Sequence, residues 1–548
     1  MGQQRTWESS SSATVGQGSG RRATAAAVST RLTARTAALA LATLLLLAGL
    51  QTSAKAYDRV GDDGSWGDWG VEQAEIDGDL TEGTRDMGSM REVARVVGAP
   101  DVWRHGVTGK GVGVALIDSG VLPVEGLTGQ GKVINGPDLS FESQADELRY
   151  LDTFGHGTHM AGIIAGHDGT AGGSDADDNR FVGMAPGAHL VSLKLASADG
   201  ATDVSQVIAA VDWVVEHRND PGLNIRVLNL SYGTDGTQSY LSDPLSHAIE
   251  VAWRHGIVVV VSAGNNGADA ALNNPALDPY ALAVGGADLH GTRWTADDTI
   301  AEFSSRGDGS RQPDLLAPSR SIASLRATGS YIDDRYPDAR VGDRLMRGSG
   351  TSQAAAVVSG AVALLLEEQP RLTPDQVKRV LIDDARRLPS AAAFGSGAGL
   401  LDVDAAYDTV EGRPRTRGSR QTWAISTGLG SLELARGTQH VSDDGVELTG
   451  ERDVFGRAWD AATWARNAEA ETAWVGGWWN GLELSGSDWS GSSWAGKTWA
   501  GKTWAGKTWA GNAWAGKTWA GKTWAGDHWV GKTWASNTWT GKTWASSP

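Results

Sequence analysis

The 548-residue chain contains no cysteine. That excludes disulfides, thiolate metal sites and a cysteine nucleophile. It does not exclude export, because a block of roughly 300 residues buries enough surface to fold without covalent staples. The chain also lacks an apolar run long enough to cross a bilayer. The longest, residues 37–50, has 14 residues, against about 20 for a spanning helix. Positive charge is scarce as well: the net charge is −17, and the only basic excesses lie in residues 1–56 and 488–548. An acidic body has no basic footprint for nucleic acid, and its charge favours solubility.

The short apolar run has the length of a signal core. Arg21, Arg22, Arg31 and Arg35 precede it, and Ala54-Lys55-Ala56 offers a small-x-small cleavage site. Residues 1–56 are therefore expected to be a signal peptide, with Tyr57 the first mature residue and the product secreted. An uncleaved anchor helix is the alternative. Arg21-Arg22 lacks the flanks of a twin-arginine signal, so the export route stays open. Residues 57–95 begin polar, Gly-rich and acidic, and read as a flexible leader or short pro-segment.

A helical pattern starts around Arg91–Arg104, and from Gly111 strands and helices alternate. Val112–Ile117, Val227–Leu230 and Ile257–Val261 are apolar without alternation, and Leu190–Leu195 is more mixed. Val204–His217, Asp243–His255 and Thr351–Glu368 read as helices. Thr373-Pro374-Asp375 caps another, to about Arg387. Uninterrupted apolar strands are buried on both faces, which predicts an α/β layer fold around a mainly parallel sheet over residues 96–408. Residues 409–458 read as a linker with short strands. Residues 459–548 carry tryptophan in one five-residue phase, from Trp459 and Trp464 to an unbroken run of twelve between Trp489 and Trp544, the usual unit being Trp-Ala-Gly-Lys-Thr.

Three short boxes carry the chemistry. Asp118-Ser119-Gly120 ends a strand, Gly155-His156-Gly157-Thr158-His159 opens a helix, and Gly350-Thr351-Ser352 opens the long apolar one. A serine hydroxyl needs a base within hydrogen-bond reach and a third group to orient that base. Asp118, His156 and Ser352 supply this set in the order Asp, His, Ser. A helix N-terminus at Ser352 offers backbone N–H groups where an oxyanion would develop. Ser262-Ala263-Gly264-Asn265, at the tip of a buried strand, adds a side-chain amide, and Asn265 is assigned as the second oxyanion donor. His159, one turn behind His156, is expected to be structural.

Together these boxes resemble those of the subtilisin-like serine peptidases (subtilases), over roughly residues 96–408. Met184-Ala185-Pro186-Gly187-Ala188, Asn229-Leu230-Ser231-Tyr232-Gly233 and Pro313-Asp314-Leu315-Leu316-Ala317-Pro318 support the resemblance. It implies a three-layer subtilisin-like domain, an endopeptidase acting on polypeptides through an acyl-enzyme, and catalysis without a metal. It also implies that Ser231, Tyr232 and Gly233 lie along the substrate backbone, and Tyr232 suggests bulk near the cleft. Two departures follow Ser352: Gln353 stands where the family usually has Met, and Ala356 where it has Pro. The leader is also shorter than the family's usual inhibitory propeptide, which leaves the activation route open. Structural calcium is common in the family. Asp175-Ala176-Asp177-Asp178 is a candidate for it, with a solvated surface loop as the plainer reading.

The repeat tail fits neither a helix face nor simple strand alternation. Its tryptophans either stack in a β-rich coil or meet an external surface. Binding of a cell-envelope polymer or glycan, which would retain the enzyme at the cell surface, competes with self-association and with a tail that has no partner. Gly501 to Thr508 matches a phosphate-loop pattern by letter, but any repeat of this unit does so, and no nucleotide is expected. Arg306-Gly307-Asp308 matches an adhesion tripeptide equally by chance. The rival reading of the whole chain is a surface-binding protein whose peptidase domain is inert or only processes itself.

Overall fold

The computed structural model describes residues 88–484, except 144, 146, 170–179, 293, 389–393, 412–418 and 444–445, together with a few short strands beyond 484. The signal-like segment, the leader to residue 87, the acidic loop at 175–178, the phosphate-loop match and most of the Trp-Lys repeat lie outside the described residues.

Six strands form the parallel body of one sheet: β1 (Gly113–Asp118), β2 (Val133–Asp138), β3 (His189–Lys194), β4 (Ile225–Leu230), β5 (Val258–Ser262) and β6 (Leu282–Asp288). Their order is β2-β3-β1-β4-β5-β6. Two short strands complete the sheet. β7 (Thr299–Ile300) pairs antiparallel with β6, and β8 (Leu315–Pro318) pairs parallel with it. Every residue of β1, β5 and β6 is buried. This two-sided burial is why these strands are apolar without alternation. Helices α1 (His156–Ala165) and α4 (Thr351–Glu368) pack on each other and on the sheet, as do α2 (Val204–His217) and α3 (Pro244–Arg254). The domain is an α/β fold with a mainly parallel central sheet.

The caps follow from the sequence. Asp203 accepts from Ser205 N at 3.0 Å, and its own N–H donates to Gln206 Oε1 at 2.7 Å, closing a capping box on α2. Asp243 caps α3, and Thr373 caps the helix Pro374–Asp383. The helical pattern at 91–104 is two helices, Met90–Val96 and Ala99–Arg104, divided at Gly98 in the left-handed region (φ +84°). Met90, Val93 and Ala94 belong to the main core. The packed body therefore begins before residue 96.

Within residues 409–458, part of the segment is built into the body. In the helix Leu432–Arg436, Arg436 and its partner Asp203 are wholly buried, with Nε to Oδ2 at 2.6 Å. Arg436 also donates to Gly450 O at 2.8 Å and to Arg452 O. A buried pair of this kind ties the strap to α2, since removing one partner typically costs about 3–5 kcal/mol. The reason sequence missed it is plain: a polar, Gly-rich strap folds by plugging one cation into a helix cap, and no hydrophobic period marks that.

The first tryptophans of the five-residue phase are likewise part of the body. Trp464, Trp474 and Trp479 are each 2% exposed or less. The indole N–H groups of Trp464 and Trp479 both donate to Asp212 Oδ2, at 2.9 and 2.8 Å, and Trp474 donates to Ala209 O at 2.6 Å. All three grip α2. Burying an indole contributes roughly 4–6 kcal/mol of apolar transfer before ordering entropy is subtracted.

Asp212 is itself buried, and burial pushes its carboxyl up to about 7; nearby Glu216 adds to this, and the two indole donors oppose it. The folded chain thus keeps a proton that the unfolded chain releases near pH 4. Stability should fall as pH rises from about 4 to about 7, by on the order of 4 kcal/mol from this group alone. Asp212→Asn keeps an acceptor for the indoles and removes the titration. In a Ser352→Ala background, to prevent self-digestion, urea unfolding should show the variant gaining on its parent across that window. An unchanged difference between pH 4 and pH 8 would refute the assignment.

Candidate active site

β1 lies between β3 and β4, so the chain order reverses there. The carboxyl ends of strands at such a reversal open a crevice between diverging connections. Asp118 is the last residue of β1, Ser231 follows β4, and Asn265 lies three residues beyond β5.

Asp118 is fully buried, and His156 is 5% exposed. The imidazole Nδ1 lies 2.8 Å from Asp118 Oδ1 and 2.9 Å from Oδ2. Glycine allows this approach: a Cβ on Gly157 would sit 2.1 Å from Gly120 O and 3.2 Å from Asp118 Oδ1. The two boxes are also stitched together by residues that sequence reasoning did not single out. Ser119 Oγ donates to Asp152 Oδ1 at 2.8 Å and accepts from Gly157 N at 2.8 Å. Asp152, fully buried, accepts from Gly155 N at 2.6 Å and Thr158 N at 2.7 Å. Burial pushes its carboxyl up, and these donors pull it down. Its place four residues before His156, amid glycine and threonine, was the available signal.

His159 is structural. Its Nε2 donates to Ile322 O and Met346 O, both at 3.1 Å. Burial, with His156 nearby, lowers its pKa to about 3, so the ring stays neutral.

Ser352, 6% exposed, is the second residue of α4. Its Oγ lies 3.5 Å from Ser231 O, and Ser231 Oγ donates to Ser352 O at 3.2 Å. Asn229 joins the two elements, donating to Ser231 Oγ at 3.0 Å and accepting from Ser359 at 2.9 Å. Asn265 faces the same helix start. Its Oδ1 accepts from Thr351 N at 2.8 Å and Thr351 Oγ1 at 2.9 Å. With the oxygen so engaged, the NH₂ end is the part of this amide that can donate. Asn273, also missed from sequence, braces the loop: it accepts from Asn266 Nδ2 at 2.8 Å and donates to Thr234 O at 3.0 Å.

The structure corrects one expectation. Tyr232 adds no bulk to the cleft, because its side chain is wholly buried. Its hydroxyl lies in the field of Asp203 and Arg436, and burial raises its pKa well above the usual range. Side chains alternate along an extended segment, so a residue next to the cleft-facing Ser231 turns inward, here under the Arg436 strap. Gly233 is buried beside it. Among the described residues no group of three or more His, Asp or Glu side chains could hold a metal, and no helix is long and apolar enough to cross a membrane.

Comparison with known proteins gives this geometry its family. The model of the Subtilase family (peptidase S8) matches residues 109–402. Serine protease AprX of Bacillus subtilis is 37% identical over 315 residues, 56% of this chain and 69% of AprX. Subtilisin BL of Lederbergia lenta is 31% identical over 314 residues, 57% of this chain and 96% of the subtilisin. The crystal structure of a cold adapted subtilisin-like serine proteinase aligns with 30% identity and a TM-score of 0.41, covering 54% of this chain and 90% of its own. The chain belongs to the subtilase family and is a serine-type endopeptidase of that family.

Proposed function

We propose that this endopeptidase is exported and cleaves polypeptides through an acyl-enzyme on Ser352. His156 takes the hydroxyl proton and later gives it to the leaving amine. Asp118 orients the ring through Nδ1 and steadies the imidazolium. The Asn265 amide and the Ser352 backbone N–H hold the oxyanion. The backbone of Ser231–Gly233 receives the substrate as an added strand. The observation that carries this reading is that three strand ends meet two helix starts: Asp118 meets His156 at the start of α1, and Ser231 and Asn265 meet Ser352 and Thr351 at the start of α4. Every group in the scheme belongs to the protein, and structural calcium has no role in it.

A fluorophosphonate probe should label the wild-type chain and leave Ser352→Ala unlabelled. Equal labelling of both would sink the assignment. Asn265→Asp keeps the acceptor for Thr351 but replaces the donor. It should lower kcat by at least about 10²–10³-fold, with KM changing far less. A loss confined to KM would remove Asn265 from the oxyanion role.

Export rests on the charged, apolar and small-residue order of residues 1–56. The repeat beyond residue 484 pairs an indole face with a lysine in most units, which suits an anionic or sugar-bearing envelope polymer. Because Trp464 and Trp479 hold α2, a truncation that separates cleavage from surface retention belongs after residue 484, not at 458. Cleavage kept and retention lost is the expected result.

A further inference from the structure

Gln353 follows the proposed nucleophile and is 1% exposed. Neither Oε1 nor Nε2 has a hydrogen-bond partner among the described residues. Leaving a buried polar group unpaired typically costs about 1–3 kcal/mol, and an apolar side chain of similar shape would avoid that cost. Such an amide is either a defect or a waiting contact.

Its position favours the second. A Cβ built on Gly350 would meet Gln353 Oε1 at 3.1 Å and Asn265 Nδ2 at 3.3 Å. The two side-chain amides therefore flank the same glycine, at the end of α4 that carries Ser352. One has its oxygen engaged by Thr351, and the other is buried with both ends unpaired. A carboxamide with an empty donor and an empty acceptor is complementary to a group that offers both, and a secondary amide does so with its C=O and N–H.

We infer that Gln353 is a substrate-contacting residue whose side-chain amide pairs with a peptide group of the bound polypeptide beside the scissile bond. This rests on Ser352 being the nucleophile. It predicts that the apolar replacement trades activity for stability, which a structural amide would not do.

The test uses the full chain with Gln353→Leu, and Gln353→Met as a second variant of similar volume. Three quantities are compared with wild type: kcat/KM on an oligopeptide, the rate of phosphonylation by a small fluorophosphonate with no peptide group, and the thermal midpoint of the phosphonylated protein. The expected result is a fall of about tenfold in kcat/KM, from one or two lost hydrogen bonds. The phosphonylation rate should stay within about twofold, and the midpoint should be unchanged or higher. Unchanged kcat/KM would overturn the inference. So would a lowered midpoint with both rates reduced alike, since that marks a structural amide. Failure of the underlying reading looks different: wild type itself would not be labelled, or Ser352→Ala would be labelled equally.

Discussion

Ser352→Ala is expected to lower kcat for peptide hydrolysis by about 10⁶-fold while leaving KM within a few-fold of wild type. Nucleophile, base and orienting carboxylate act as one unit, so removing the first forfeits nearly all that the unit supplies. What remains is binding and the oxyanion donors, which together sustain roughly 10³–10⁴ over water. Adding His156→Ala to Ser352→Ala should therefore cost little more. The double variant discriminates: if it fell a further hundredfold, His156 would be serving another nucleophile, and the assignment of Ser352 would be wrong. The fold should tolerate the change. The Ser352 side chain makes one long contact, to Ser231 O at 3.5 Å, whereas its backbone carbonyl is what accepts from Ser231.

The readable parts of this chain were those where one chemical requirement dominates. β1 and β5 are buried on both faces, and the run Val-Val-Val-Val marks such a core strand. The boxes around Asp118, His156 and Ser352 were readable because glycine must stand beside each reactive group. Gly157 shows why: any side chain there would strike Gly120 O. Helix starts at Asp203, Asp243 and Thr373 announced themselves by capping residues.

What escaped depends on partners distant in sequence. Asp152 matters because it joins Ser119 to the backbone of Gly155 and Thr158, and Asn273 because it spans from Asn266 to Thr234. Neither is marked by a period or a motif. Tyr232 was misread because its neighbour Ser231 faces Ser352, and only the Arg436 strap shows what the tyrosine faces instead. The five-residue tryptophan phase was visible, but its division was not. Trp464 and Trp479 donate to Asp212, while most of the later repeat lies outside the described residues. A repeat has no internal mark for where docking ends. The strap at 432–436 and the tryptophans at 464–479 both end on α2, one on its cap at Asp203 and one on Asp212. The C-terminal region is therefore built into the peptidase body, and the expectation of an appended module applies only beyond it.

Asp118→Asn should lower kcat by about 10⁴-fold with the fold intact, and its cause can be read atom by atom. Asp118 Oδ1 accepts from Ser119 N at 2.8 Å. In the variant this backbone donor demands an oxygen at that place, so the new amide nitrogen must take the place of Oδ2, 2.9 Å from His156 Nδ1. An NH₂ donating to Nδ1 leaves the ring proton on Nε2, and an imidazole protonated there cannot accept the serine proton. The loss is one of tautomer rather than position. Two measurements separate these causes. Fluorophosphonate labelling, which needs the same base, should slow in parallel with hydrolysis. Thermal unfolding should shift by no more than a few degrees, because volume and all but one polar contact are kept. Asp118→Ala is the contrasting case, since it opens a cavity and strands the Ser119 N–H. If Asn and Ala lowered stability alike while activity survived in Asn, Asp118 would be a structural acid, and His156 would draw its orientation from elsewhere.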